Sequence, residues 1–374
     1  MEKQIRIEPV TTAAGRTRFI KFPWRIYRND PLWVPQLISD EKKILDPQRG
    51  TFYQFGEVAL FMAFRGREPV GRISAQVNHQ YERYHDQHTG FFGFFECIDD
   101  QAVADALLAA AAGWLRGKGK SRVMGPMSLS MYDISGTLIE GNDTMPCILT
   151  AYNPVYYERL LAGAGMKKAM DWFAFLVSQD SELRPGLQRI ADRVLHQEGL
   201  EIVPLDMKIF DQRVREVARI FSDAWMENWG HTPFTDGQIQ DMVHELRMVI
   251  VPEVTLFALY HGECIGFSLS VKDVNPALQK ANGRLFPFGL LKLLWHIRKT
   301  KRLRTMAMGV LKEHRHRGID IAFYLKTKAE ARRLGYYDSE CSIILEINKR
   351  MIGALEDLSA RRYKTFRFYE KELG

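Results

Sequence analysis

The sequence predicts an α/β (α+β) chain built as two tandem units, each a mixed, mostly antiparallel sheet flanked by helices. Three observations predict it. The length, 374 residues, suits about two domains. One hairpin pattern occurs twice, as VALFMAFRGREPVGRIS from Val58 and VTLFALYHGECIGFSLS from Val254. Each copy has an apolar strand, a glycine turn and a Val/Ile-Gly pair opening the next strand. Finally, Arg304 to Asn348 reads as a strand, a basic turn holding one glycine, a helix, and a second strand ending ILEIN. The units are expected at 1–178 and 206–374, joined by a connector at 179–205.

Taken in order, residues 19–46 mix aromatics with three prolines and predict a short helix followed by an extended arm. Glu57–Phe64 and Val70–Val77 form the first hairpin, and the Phe-rich run Gly90–Ile98 is a third strand. Asp99 and Asp100 are placed to cap an alanine-rich helix that stops at Gly117 and Gly119. Val123–Pro126 is a strand end. Strands at Pro146–Tyr152 and Asp171–Val177 enclose a helix at Pro154–Ala162, where proline suits the first turn. A helix around Leu187–Glu198 lies in the connector. The second unit opens with an amphipathic helix, Asp211–Trp225, then the loop NWGHTPFTD, a helix to Met248, and the second hairpin. Asn153 and Asn348 each follow an expected strand and open a helix, with similar spacing to Gly165 and Ser359. The two units therefore read as diverged copies.

Composition narrows the partners. A net charge of +7 favours acidic ones, but 45 acidic residues stand among 52 basic ones, which argues against a dedicated nucleic-acid surface. Cys97, Cys147, Cys264 and Cys341 lie far apart with no CxxC pair, and are expected as buried thiols in a reducing compartment. No metal-ligand spacing, G-x-S-x-G or Walker motif occurs. The leading stretch MEKQIRIEPV lacks the apolar core of a signal peptide. With no spanning run, a cytoplasmic protein is expected.

The turn Glu313–Asp320 carries Arg315, His316, Arg317 and Gly318 between a strand at Met306–Leu311 and a helix at Ile319–Leu334. Backbone amides at a helix start plus arginines suit a pyrophosphate; the bland alternative is a solvated basic loop. In this order the residues resemble the GNAT superfamily of acyl-CoA N-acyltransferases, whose signature is Q/R-x-x-G-x-G/A followed by a strand ending in Asn. Here it reads Arg315-His-Arg-Gly318-Ile-Asp320, with Asn348 after ILEI. The resemblance implies acyl-CoA as co-substrate, its pyrophosphate on Arg315, His316, Arg317, Gly318, Ile319 and Asp320, and its pantetheine arm on Asn348. It implies a backbone oxyanion site at Met308, Gly309 and Val310. Asp320 departs from the preferred Gly or Ala, and Leu355 stands where many members carry an acidic tyrosine. The first unit has no glycine-rich basic turn, so it reads as the acceptor side with a degenerate CoA site.

A closer resemblance is to bacterial ceramide synthases and their relatives. It rests on WRIYRNDPLWVPQL, MGP followed by GTLIEG, YNPVYYERL, NWGHTPFTD and the last third of the chain. It implies amide formation between a long-chain acyl-CoA and a sphingoid amine. His231, beside Trp229, and Glu346 are the candidate bases. Tyr363, Tyr156 and Tyr157 are candidate acids, although any one of them is more commonly a packing aromatic. Asn153, Tyr156, Tyr157, Glu140 and Trp229 are the candidate acceptor contacts, with Asp133 near Glu140.

Independently of any family, Leu285–Ile297 is strongly apolar and Arg298–Arg304 supplies five cations. Residues 285–304 suit either a membrane interface and acyl groove, or a core helix with a basic end. Two functions of other classes stay open: aminoacyl transfer from charged tRNA, and a non-catalytic membrane protein on a decayed acyltransferase fold.

Overall fold

The computed structural model describes residues 4–182, 184–226 and 228–374. The first three residues of the leading stretch, Leu183 of the expected connector and Glu227 lie outside that description. In chain order the first half comprises β1 (Ile5–Pro9), α1 (Ala13–Lys21), α2 (Pro23–Ile26), α3 (Ile38–Ile44), β2 (Gly56–Arg65), β3 (Glu68–Asn78), α4 (His79–Tyr84), β4 (Thr89–Cys97), α5 (Gln101–Gly117), β5 (Arg122–Gly125), β6 (Thr137–Glu140), α6 (Tyr156–Gly163) and β7 (Lys167–Ser178). Then come α7 (Leu187–Leu195), β8 (Leu200–Pro204), α8 (Phe210–Trp225), α9 (Asp236–Val249), β9 (Leu256–Tyr260), β10 (Glu263–Lys272), α10 (Asn275–Ala281) and α11 (Gly289–Ile297). The chain closes with β11 (Arg302–Val310), α12 (Ile319–Arg333), β12 (Asp338–Leu345), α13 (Lys349–Asp357) and β13 (Arg361–Glu372).

Contacts divide the chain into two compact units, and the division is not linear. The first holds Met1–Trp172, Asn275–His296 and Lys364–Gly374; the second holds Phe173–Val274 and Ile297–Tyr363. This replaces the expected cut at 178 and the connector at 179–205. Two of the four crossings fall inside β7 and β13, one at the start of α10 and one at the end of α11, so tertiary contacts, not sequence proximity, decide where a residue belongs. β8, inside the expected connector, is a strand of the second unit.

In the first unit the strand order is β1-β2-β3-β4-β5-β13, with β6 also on β13. All neighbouring pairs are antiparallel except β4 with β5, which run parallel over Thr89–Phe91 and Arg122–Met124. Strand alternation sends β2 side chains to two faces. Ala63 joins Ile73, Phe92, Leu107 and Leu160 under α5, whereas Leu60, Met62 and Phe64 join Phe19, Phe22 and Phe94. Asp100 caps α5, accepting from the amides of Ala102 and Val103. In the second unit β8, β9, β10 and β11 are antiparallel neighbours, and β11 runs parallel to β12. α12 buries Ile319, Ala322, Phe323 and Ala331. The two units thus share an antiparallel run, a strand–helix crossover and one parallel pair.

Two expectations fail. Pro146–Tyr152 is a loop: Thr150 turns back through its amide and hydroxyl onto the Cys147 carbonyl, and Leu149 has φ 58°. Pro146, Leu149 and Ala151 line a cavity and do not form a strand; the strand near this position is β6. The core alternative for 285–304 also fails, because Leu291 and Trp295 are 66% and 61% exposed. Nor are all five cations of Arg298–Arg304 available. Arg302 is held by Asp338 at 2.8 Å, and Arg304 is 4% exposed. All four cysteines are free and buried. Among the described residues no helix is long and apolar enough to cross a membrane.

Candidate functional site

The second unit positions the basic turn as follows. β11 pairs with β10 as far as Val310, but with β12 only over Arg302–Thr305 and Asp338–Cys341. Beyond that point the parallel strands part. A register shift at Leu269/Ser270 makes Met306 an extra residue on β11, a bulge where the gap begins. Met308, Gly309 and Val310 follow along that edge. Gly309 sits against an aromatic wall: a Cβ there would lie 2.8 Å from the Trp225 ring. Trp225 stacks on Phe221 at 4.2 Å, and Phe221 meets His231 at 5.5 Å and Phe234 at 5.1 Å. His231 is therefore part of this wall, 3% exposed. Trp229 is half-buried in the same loop.

The turn after β11 is tied back to α8. Arg315 donates from Nε to the Val310 carbonyl (3.2 Å) and from Nη2 to the Ala224 carbonyl (3.3 Å). The Arg317 guanidinium lies 5.8 Å from the Tyr260 ring centroid. His316 and Gly318 have φ of 65° and 82°. Glycine at 318 answers two local demands, since the conformation is left-handed and a Cβ would also approach Ile190 of α7 at 2.9 Å. Among the described residues no side chain caps α12 at Gly318. One turn position is filled from within: the Asp320 carboxylate accepts from the Ile321 amide (3.1 Å) and lies 3.7 Å from Arg350. The N-terminus of the equivalent helix, α5, carries Asp100 on its amides and is thus closed to a second anion.

Three other candidates of this unit are placed differently from one another. Asn348 caps α13, its Oδ1 accepting from the Met351 amide at 3.1 Å. Tyr363 donates its hydroxyl to the buried carboxylate of Glu340, which also accepts from Ser342. Glu346 lies in the turn after β12, not on the strand where the sequence reading put it.

In the first unit, Asn153 holds β6: Oδ1 accepts from the Leu138 amide (2.7 Å), and Nδ2 donates to the Leu138 carbonyl (3.1 Å). Tyr156 donates to the Cys97 carbonyl (2.8 Å). Glu140 is exposed and accepts from Thr365 at 2.5 Å. Tyr157 donates to Glu96 Oε2 at 2.6 Å and lines a cavity of about 200 Å³. That cavity opens where β4 and β5 part. Its walls include Glu96, Arg72, Glu41 and Asp133, with Trp24 and Trp33 half-buried among them. β4 is bulged there, Phe94 having φ 46°. Burial raises the Glu96 carboxyl, against the opposing pull of Arg72 and its two tyrosine donors. Burial also lifts Glu41 to about 7.

Sequence reasoning missed Glu41, Glu96 and Arg72. The available signal was that WRIYRNDPLWVPQL, MGP, GTLIEG and YNPVYYERL each supply at least one cavity residue: Trp24 and Trp33, Pro126, Thr137, and Tyr157.

The fold agrees with known structures. The chain superposes on a tandem GNAT protein from the clavulanic acid biosynthesis pathway with TM-score 0.57 at 12% identity, covering 99% of each chain. With a GCN5-related N-acetyltransferase from Sphaerobacter thermophilus the TM-score is 0.54 at 13% identity, covering 99% of this chain and 96% of that one. The fold is that of a tandem GNAT protein. No family model matches the sequence. Two curated proteins do match over nearly their whole length. The bacterial ceramide synthase of Caulobacter vibrioides (strain NA1000 / CB15N) is 35% identical over 376 residues, covering 99% of this chain and 98% of that protein. Protein YghO of Escherichia coli (strain K12) is 31% identical over 363 residues, covering 95% and 92%. The chain belongs to the family of these two proteins and is an acyltransferase.

Proposed function

We propose that this acyltransferase moves a long-chain acyl group from acyl-CoA to the primary amine of a lipid acceptor, a sphingoid base. The observation that carries the reading is the end-to-end match to a protein named as a ceramide synthase. The second unit supplies the donor side. Arg315 and Arg317, with His316 between them, bring positive charge to the start of α12, whose N-cap Gly318 carries no capping side chain. The fit is good at Gly318 and poor at Asp320, whose carboxylate already holds one amide of the turn. Met308, Gly309 and Val310, on the β11 edge past its pairing with β12, offer backbone N–H groups to the oxyanion that forms when the amine attacks the thioester. His231 or Glu346 takes the proton that the attacking nitrogen loses, and the thiol of CoA departs.

A lipid acceptor also suits α11. Phe286, Phe288, Leu291, Leu294 and Trp295 are exposed, with exposed Arg284 and Lys292 beside them in sequence and Arg298, Lys299 and Lys301 after them. Apolar side chains rimmed by cations are what an anionic membrane interface binds.

The test is direct: purified protein is incubated with palmitoyl-CoA and sphinganine, with free thiol and N-acyl product followed together. Amide appearing with equimolar thiol is expected, and Gly318→Glu abolishes it. Full transfer by that variant, or no amide from palmitoyl-CoA and sphinganine, overturns the reading.

A further inference from the structure

The cavity of the first unit has a charge pattern that its own residues leave unbalanced. Three carboxylates, Glu41, Glu96 and Asp133, share it with the one guanidinium of Arg72. Two of the carboxylates are engaged. Asp133 Oδ2 accepts from the Ser130 amide (2.9 Å) and hydroxyl (2.6 Å), and Glu96 Oε2 accepts from Tyr27 (2.9 Å) and Tyr157 (2.6 Å). Arg72 is 6% exposed; it donates to the Phe19 carbonyl and stands 3.9 Å from Glu96. Its Nε has no hydrogen-bond partner among the described residues. Glu41 has no hydrogen-bond or ion-pair partner for its carboxylate among the described residues. Its nearest counter-charge is Arg72, which Glu96 and Asp133 share, and a cationic ligand would add the balance that one guanidinium does not supply to three carboxylates.

Size and walls narrow the ligand. A volume of about 200 Å³ is below the range of roughly 300–1,000 Å³ that takes drug-sized molecules, so it admits a small polar group and not a long chain. Trp24 and Trp33, packed edge to face at 5.1 Å, are among its walls, and indole rings attract an ammonium. The wall is completed by Asn275 of α10, whose Nδ2 donates to the Pro146 carbonyl at 2.8 Å. The same segment is pinned nearby: Trp24 donates to Asn282 Oδ1 (2.8 Å), and Gln279 to the Pro31 carbonyl (2.8 Å). Residues 282–288 then lead to the exposed apolar helix α11.

We propose that this cavity binds the amino-alcohol end of the acyl acceptor, a primary ammonium with neighbouring hydroxyl groups, using Glu41 and Glu96 as its counter-charges. The assignment rests on the amine-acceptor reading above and adds where the headgroup is recognised.

The experiment is calorimetric titration of the full chain with 2-amino-1,3-propanediol at neutral pH, with glycerol as the uncharged control of similar size. The amine is expected to bind and glycerol not. Glu41→Gln is expected to weaken amine binding at least tenfold, and Glu96→Gln severalfold. The thermal shift given by palmitoyl-CoA should stay unchanged in both variants, which also reports that they fold. Equal binding of amine and glycerol, or wild-type amine affinity in both variants, overturns the proposal. Amine binding that survives while no variant responds to palmitoyl-CoA instead defeats the donor assignment and leaves this site standing.

Discussion

The Tyr157 hydroxyl donates to Glu96 Oε2 at 2.6 Å while accepting from the Cys97 amide at 3.0 Å. One phenol thus satisfies a buried carboxylate and a backbone donor of β4. Its own ionisation is pushed well above the usual phenol range, first by burial and then by Glu96. Tyr157→Phe leaves both partners short, and should cost about 1–3 kcal/mol in urea unfolding. Because the bond from Tyr157 holds the Glu96 carboxyl down, the variant should also raise it further, seen by carboxyl NMR titration.

Glu41 gives a pH signature. Burial lifts its folded value to about 7 from an ordinary 4.5. Between those values the folded state holds a proton that the unfolded chain has released, so this contribution is full below about 4.5 and is lost as pH rises toward 7. Unfolding of wild type and Glu41→Gln should therefore differ in slope over that window, with the variant lacking the decline. Parallel curves would refute it.

At the start of α12, Asp320→Gly should tighten palmitoyl-CoA binding severalfold, since it removes a carboxylate from the Ile321 amide. Arg317→Ala should weaken binding and flatten its salt dependence. Equilibrium dialysis at two ionic strengths reads both.

Asn348 separates capping from substrate contact. Asn348→Ala should cost about 1 kcal/mol of stability through the lost bond to Met351, and Asn348→Asp should cost little, because both asparagine and aspartate cap well. If Asn348 also serves the pantetheine arm, Asn348→Asp lowers acyl-CoA affinity at wild-type stability.

On α11, Leu291→Glu with Trp295→Glu should abolish co-sedimentation with phosphatidylglycerol vesicles and leave thermal stability within about 0.5 kcal/mol, as both side chains are exposed. Neutral phosphatidylcholine vesicles should bind the wild type less well.

Much of the fold was legible because the signals were local. The hairpins at β2–β3 and β9–β10, the aspartate cap of α5 and the limits of α8 and α12 follow from alternation, turn residues and capping side chains a few positions apart. The first-unit cavity was not legible, because Glu41, Arg72 and Glu96 come from α3, β3 and β4 and meet only after folding. Pro146–Tyr152 misled because apolar residues facing a cavity and apolar residues in a strand have the same composition. The exposure of α11 was beyond sequence for a related reason: hydropathy reports that a helix seeks an apolar neighbour, and is silent on which one.

The share of β13 that belongs to the first unit has a consequence for how the protein is made. Lys364–Gly374 pairs with β5 and β6, and Arg367 clamps Asp171 with two bonds of 2.8 and 2.9 Å. These residues leave the ribosome long after Trp172 does. The unit that begins first in translation therefore completes itself last, reversing the usual N-terminal-first order. Until then β5 has β4 on one side and an open edge on the other, the kind of edge that pairs with other chains.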